Sequence, residues 1–205
     1  MGSLSWLANY SGIAAVIWML LGVALVARMI PGYSHCLNFM SELGARGRPS
    51  AAIHPFVNNL PIGLLFFLYG LSLYLNSGGH SAFHILGILM ILHGISHWFT
   101  GLFPCDEDMG LANPSSSQVM HNLAGLVMLL TLLIACVVGA VSDALFPGWF
   151  RTYSLASAVS AVLLAVFMAK PPGNRAAPGL YQRLSYGALA LWVVVLNVWF
   201  LDNLA

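Results

Sequence analysis

The sequence predicts an all-α integral membrane protein, a bundle of six transmembrane helices. Three observations predict it: 60% of the 205 residues are hydrophobic, the mean hydropathy is +0.86, and only 7 basic and 6 acidic side chains are present. A soluble domain carries about 25% charged residues, so a chain with 6% cannot cover a water-facing surface. The net charge of +1 also excludes a basic surface for nucleic acid.

A crossing helix needs about 20 apolar residues, and six stretches approach or exceed this length. They are predicted at 7–29, 55–75, 82–102, 119–141, 153–169 and 181–201, within a single domain that covers residues 1–205. Breakers such as Pro31-Gly32, Gly78-Gly79 and Pro147-Gly148 separate them.

The basic residues predict the orientation of the bundle. Arg151 is the one basic residue on one side, and six follow spans one, three and five: Arg28, Arg46, Arg48, Lys170, Arg175 and Arg183. Because cytoplasmic loops carry the excess of Lys and Arg, these loops are expected inside and both termini outside.

Histidines inside the third span are the most informative polar residues. His80/His84 and His93/His97 are two pairs with i, i+4 spacing, and each pair shares a helix face. His93 and His97 lie within the apolar span, where a polar side chain needs a partner in the bundle interior. Glycines at 87, 94 and 101 form a smooth strip on the same helix, against which another helix can pack closely.

Other polar residues are expected at the same end of the bundle. The third loop carries Asp106 and Asp108, the fourth span opens with His121 and Asn122, and the long first loop (30–54) carries Glu42. Asn58 and Asn59 lie just before Pro61, which should kink the second span and free backbone carbonyls.

This set of residues predicts a metal site as one hypothesis. Imidazoles of His93, His97 and His121 suit zinc or iron, and Glu42 or Asp106 would act as the acid–base carboxylate. We expect His121 and Asp106 to share one polar site, because the third and fourth spans are an antiparallel pair joined by a loop of about 16 residues. Two alternatives stay open: a structural hydrogen-bonded cluster, and a b-type haem held by His121 with His93 or His97.

Three segments together resemble a known family. Tyr33-Ser34 with Met40-Ser41-Glu42-Leu43-Gly44-Ala45 and Pro49 resembles the first-loop signature of domain-of-unknown-function family 998. Gly101-Leu102-Phe103-Pro104-Cys105-Asp106 and His121-Asn122-Leu123-Ala124-Gly125 resemble its two later motifs. The resemblance implies a six-span protein of a prokaryotic plasma (inner) membrane, with no assigned activity.

Two further resemblances concern layout and chemistry. The span layout is similar to that of the Frag/DRAM-type proteins, some of which are linked to lipid remodelling. The inventory of Ser41, Asp106 and three histidines resembles that of alkaline-ceramidase-like intramembrane hydrolases, but here the His pair precedes the aspartate and a seventh span is missing.

The first-loop motif also has a direct physical interpretation. Ser41 can cap a helix through its hydroxyl, and Gly44 permits a turn that other residues avoid. A surface-lying loop in this position is stable only when protein covers its backbone, so we expect it to dock on the bundle end that carries His121.

Two classes of function follow from these residues. The first is a membrane-embedded, metal-dependent enzyme that acts on a lipid or lipid-linked substrate. The second is a non-catalytic membrane subunit or small-molecule carrier with a structural polar cluster. Membrane lipids are the expected partners in both.

Overall fold

Six helices form the bundle in the computed structural model, which describes residues 7–108, 112–168 and 177–204. We number them α1 (Ser11–Ala27), α2 (Leu60–Leu75), α3 (Ser81–Leu102), α4 (Ser116–Val141), α5 (Gly148–Met168) and α6 (Pro178–Leu204). A 3-10 turn at Met40–Gly44 lies in the first loop, and a π-helical turn at Pro55–Asn59 leads into α2. No strand occurs among these residues, so the helical prediction is confirmed.

Five helices in the described ranges are long and apolar enough to cross a membrane, and they correspond to predicted spans two to six. The first differs from its prediction, because α1 has 17 residues and rises about 26 Å, less than a bilayer core of about 30 Å. A separate helical turn at 7–9 precedes it.

Asn197 of α6 explains why the helix is interrupted before α1. Its Oδ1 accepts from the backbone N–H of Ile13 at 2.9 Å, and its Nδ2 donates to the carbonyl of Asn9 at 2.7 Å. These two backbone groups would bond to each other in a continuous helix, so the inserted side chain interrupts the ladder. Sequence periodicity gives no sign of this insertion.

Consecutive helices pack against each other, and α1 packs on both α2 and α6, which closes the bundle. The aromatic core lies in the half away from the first loop and includes Tyr69, Phe83, Phe150 and Trp192, all at most 1% exposed. We call the opposite half the loop end. It contains the first loop, the start of α2, α4 and α6, and the end of α1, α3 and α5.

The glycine strip of α3 packs on α2, as its spacing predicts. Gly94 lies against Gly63, and Gly87 lies against Gly70, with backbone touching backbone at both levels. Backbones approach this closely only where side chains are absent. The α2–α3 pair therefore forms a rigid wall that fixes the depth of His93 and His97.

Gly94→Ala should destabilise the protein, because the new Cβ would lie 2.8 Å from the backbone nitrogen of Phe67 and would collide with the Gly63 carbonyl. Overpacking of this kind costs about 1–3 kcal/mol, and thermal unfolding in detergent should show a midpoint several degrees lower. Gly187→Ala is the matched control, because nothing lies within 4 Å of its Cβ position. Equal midpoints for the two variants would contradict the close packing of α2 on α3.

Candidate functional site

A cavity of about 450 Å³ occupies the loop end, between all six helices and the first loop. Polar side chains line part of it, among them His54, Asn58, Asn59, His97, His121 and Tyr186. The rest of its lining is apolar, mainly from α1, α4 and α5. Cavities of about 300–1,000 Å³ with a few polar groups are typical of small-molecule sites.

Pro61 shapes the polar wall of the cavity. It has no N–H, so the carbonyl of Val57 four residues earlier loses its usual helical partner. Trp18 of α1 takes this place, and its Nε1 donates to the Val57 carbonyl at 2.7 Å. The turn before Pro61 widens to a π turn, in which the N–H of Leu60 bonds to the carbonyl of Pro55. Such widened turns are frequent at functional sites, and this one buries two successive asparagines.

The two asparagines of this turn differ in their hydrogen bonds. Asn59 Nδ2 donates to the hydroxyl of Thr100 at 2.8 Å, and that hydroxyl donates to the carbonyl of His97. This fixes the amide of Asn59 and leaves its Oδ1 buried without a partner. Asn58 is 4% exposed, and neither atom of its amide has a partner. An unpaired buried amide costs about 1–3 kcal/mol per group, and this one leaves both a donor and an acceptor on the cavity wall.

Tyr186 joins the two histidines of α3. His93 Nδ1 lies 3.1 Å from the carbonyl of Met128, which can only accept, and 3.1 Å from the hydroxyl of Thr131, which donates to that same carbonyl. This nitrogen therefore carries the proton. The hydroxyl of Tyr186 then donates to His93 Nε2 at 2.7 Å and accepts from His97 Nε2 at 3.1 Å. In this arrangement the lone pair of His97 is on Nδ1.

His121 and His54 complete the histidine set. His121 Nδ1 donates to the carbonyl of Phe103 at 2.8 Å, and the backbone of Thr100 is a second partner of the ring. Because Nδ1 carries the proton, Nε2 is the nitrogen of the neutral ring that can accept. His54 packs against Gly44 so tightly that a Cβ at position 44 would lie 2.5 Å from its Nδ1. Burial, with a smaller contribution from His121, lowers the pKa of His54 to about 4, and the ring is therefore neutral at pH 7.

The two predicted acid–base residues have other partners. Asp106 accepts from the hydroxyl of Ser115 at 2.6 Å and from its N–H at 2.9 Å, and Arg46 lies 3.9 Å away. These donors, the hydroxyl above all, hold the pKa of Asp106 below its usual value. Ser115 in turn caps α4 by accepting from the N–H of Gln118. Asp106 thus organises the start of α4.

Glu42 organises the first loop in a similar way. It accepts from the side chain of Asn38 at 2.7 Å and from the N–H of Phe39 at 2.8 Å, and Arg48 lies 3.8 Å away. Neither Glu42 nor Asp106 is among the described residues that line the cavity. Both occupy the same bundle end as His121, but the structure gives them different partners.

The other residues that the sequence motifs single out are divided between the cavity and the loops. Ser41 and Asn122 line the cavity, and Gln118 donates to the Oδ1 of Asn122 at 2.7 Å. Gly44 lies outside it and gives space to His54. Its φ is not positive, so the special turn predicted for it is wrong, and the glycine is needed here for space. Asp108 is exposed in the third loop.

The metal and haem hypotheses gain no support from this geometry. No group of three His, Cys, Asp or Glu side chains with metal-holding geometry occurs within the described ranges. The Nε2 atoms of His93 and His97 both bond to Tyr186, which leaves neither of them available as an axial ligand. The second histidine pair lies apart from this site, where His84 Nε2 bonds to the hydroxyl of Ser77 at 2.7 Å.

The first loop docks over this end of the bundle, as expected. Arg183 of α6 donates to the carbonyls of His35 and Asn38 at 2.7 and 2.8 Å and to the hydroxyl of Tyr33 at 2.6 Å. The neighbouring Gln182 accepts from the N–H of Met40 at 2.6 Å. The loop is thus held by its backbone, and its Met40 and Ser41 form part of the cavity wall.

Sequence reasoning missed Tyr186, Thr100 and Arg183. A tyrosine, a threonine and a helix-end arginine are ordinary in membrane spans, and their partners lie 40 to 150 residues away along the chain. The signal that could have identified Tyr186 is the need of two buried histidines for a shared partner on a facing helix.

The fold and the site define a multi-pass helical membrane protein with an amphipathic cavity at one end. The chain belongs to the family described as "Protein of unknown function (DUF998)", whose model matches residues 13–199. No curated protein and no solved structure matches the chain at a significant level.

Arg183→Leu should release the first loop, because it removes charged hydrogen bonds that are worth about 1.5–3 kcal/mol each. We expect limited proteolysis between residues 33 and 44 to become at least about tenfold faster, which corresponds to about 1.4 kcal/mol of local stability. Arg151→Leu is the control, because Arg151 also donates to a carbonyl, that of Ala140, at the opposite end of the bundle. Unchanged cleavage in the Arg183 variant would contradict the docking role.

Proposed function

We propose that this protein binds an amphiphilic small molecule from the membrane in the loop-end cavity. The observation that carries the proposal is the buried amide of Asn58, which has no partner and belongs to a residue of the cavity wall. Such groups are rare in native proteins and call for an explanation. A polar head group in the cavity would supply the missing hydrogen bonds.

The lining fits a molecule with a polar head and an apolar tail. Four methionines at positions 19, 40, 128 and 168 line the cavity, and flexible methionines adapt to ligands of different shape. Asn58 and His121 are among its polar lining residues. The head would lie there, with the tail beside Leu129 and Ala165.

The cavity also has a route to the surface. Leu126 of α4 lines it and is 50% exposed, and Asn122 one turn earlier is exposed as well. Leu126 lies ten residues into α4, about 15 Å from the start of the helix. A molecule could therefore enter from the lipid rather than from water.

This proposal develops the carrier hypothesis rather than the metal-dependent enzyme. None of the described residues that line the cavity is Asp, Glu, Lys or Arg, and neither carboxylate expected for acid–base catalysis is on its wall. Binding therefore has support from the structure, and the hydrolytic mechanism does not.

The proposal includes a location and an orientation. The six-to-one distribution of basic residues favours a cytoplasmic loop end, and a plasma (inner) membrane is the location we propose. Membrane lipids would then be the source of the ligand.

Mass spectrometry of the protein extracted under mild conditions tests this proposal. Wild type should retain an amphiphile, and Asn58→Leu should retain at least about tenfold less, because a head group would lose at least one buried hydrogen bond. Gly125→Leu should have the same effect by filling the cavity, since Gly125 lines it and has open space around its Cβ position.

Gly148→Leu controls for the size of the new side chain, because Gly148 also has open space and lines neither this cavity nor the pocket beside it. It should retain the wild-type amount. Equal retention by all four proteins would contradict the proposal, and unfolding midpoints would identify any variant that fails to fold.

A further inference from the structure

We infer that the ligand of this cavity carries a neutral hydroxyl head, as in a lipid alcohol or a quinol, and that the site discriminates against the matching ether, ketone and carboxylate. This inference rests on the proposed function and specifies its ligand class. The cavity residues keep hydrogen-bonding capacity after their internal bonds, and this capacity selects the head group.

Three acceptors remain on three different elements. The amide nitrogen of Asn59 is used by Thr100, which leaves Oδ1. Nε2 of His97 is used by Tyr186, which leaves the lone pair on Nδ1. Nδ1 of His121 is used by the Phe103 carbonyl, which leaves the lone pair on Nε2. All three residues line the cavity.

Donors remain on α4 and α6. Gln182 uses its Oε1 for the N–H of Met40, and Asn122 uses its Oδ1 for Gln118, so each keeps an NH2 group. A hydroxyl both donates and accepts, and it can satisfy one group of each set. Asn58 offers a further donor and a further acceptor.

Heads that only accept fit this arrangement poorly. An ether, a quinone carbonyl or a carboxylate would leave Asn59, His97 and His121 unpaired, and sites with unpaired buried groups reject the mismatched analogue strongly. A carboxylate would also bring a charge into a lining whose described residues include no Lys or Arg. The neutral state of His54 at pH 7 adds no compensating charge.

The fixed orientation of Asn59 is essential to this selectivity. If its amide turned over, Nδ2 would face the position now held by Oδ1, and the site would lose an acceptor and gain a donor. Thr100 prevents this, because its hydroxyl proton is committed to the His97 carbonyl and its oxygen can only accept from Asn59. Thr100 is therefore a positioning residue for ligand selectivity.

Equilibrium binding to the full chain in lipid nanodiscs tests the inference, with probes that differ only in the head group. The first set is hexadecanol, hexadecyl methyl ether and hexadecanoate. The second is a decyl hydroquinone and its oxidised quinone. We expect the hydroxyl member of at least one set to bind at least tenfold more tightly than its acceptor-only partner. The set that shows this preference distinguishes a lipid alcohol from a quinol.

Two variants connect the preference to the site. Asn59→Leu should reduce the hydroxyl-to-ether affinity ratio towards one, because it removes the oriented acceptor. Thr100→Ser keeps the hydroxyl that orients Asn59 and should leave the ratio unchanged.

Each further outcome has one interpretation. Tight binding of all probes with affinity ratios near one overturns the hydroxyl inference and leaves the proposed function standing. A preference for the ether, the quinone or the carboxylate has the same two consequences. Failure of every probe to bind, together with no retained amphiphile in the extracted protein, overturns both.

Discussion

The missing N–H of Pro61 is the constraint on which the loop end depends. Within a bilayer, backbone groups have no water to bond, so a freed carbonyl must find a protein donor. Trp18 supplies this donor to Val57, and the bond ties α1 to the turn that leads into α2. The widened turn then buries Asn58 and Asn59 next to each other. The break in one helix thus produces both a tertiary contact and a polar wall.

The opposite half of the bundle has a different construction, and this contrast gives the cavity its place. There the aromatic side chains of Phe83, Phe150 and Trp192 fill the interior, and Asn197 pairs both its amide atoms with backbone groups near α1. At the loop end the glycine-packed α2–α3 pair holds His97 firmly, while α4 and α5 contribute mainly aliphatic and methionine side chains. At the loop end, the amide of Asn58 and the Oδ1 of Asn59 have no partner on the cavity wall.

Sequence reasoning predicted much of this architecture, and its failures have identifiable physical causes. Hydropathy located the spans, heptad-spaced glycines predicted a close helix contact on α3, and the cost of buried imidazoles selected His93 and His97. It assigned Asp106 and Glu42 to chemistry, whereas Ser115 and Asn38 engage them as structural acceptors. A carboxylate in a loop has the same sequence signature in either role, because the difference lies in the direction of its side chain. Tyr186 and Asn197 depend on contacts with distant helices, which no local pattern encodes.

The most direct test of the central claim is an experimental structure of the full chain in a lipid nanodisc, determined without added ligand. We expect the π turn before Pro61 and elongated density in the cavity, with its polar end within hydrogen-bonding distance of Asn58 or His121. The contradicting result is a closed cavity in which the amide of Asn58 bonds to other protein groups. In that case the polar cluster would be structural, and the protein would have no ligand site at this end.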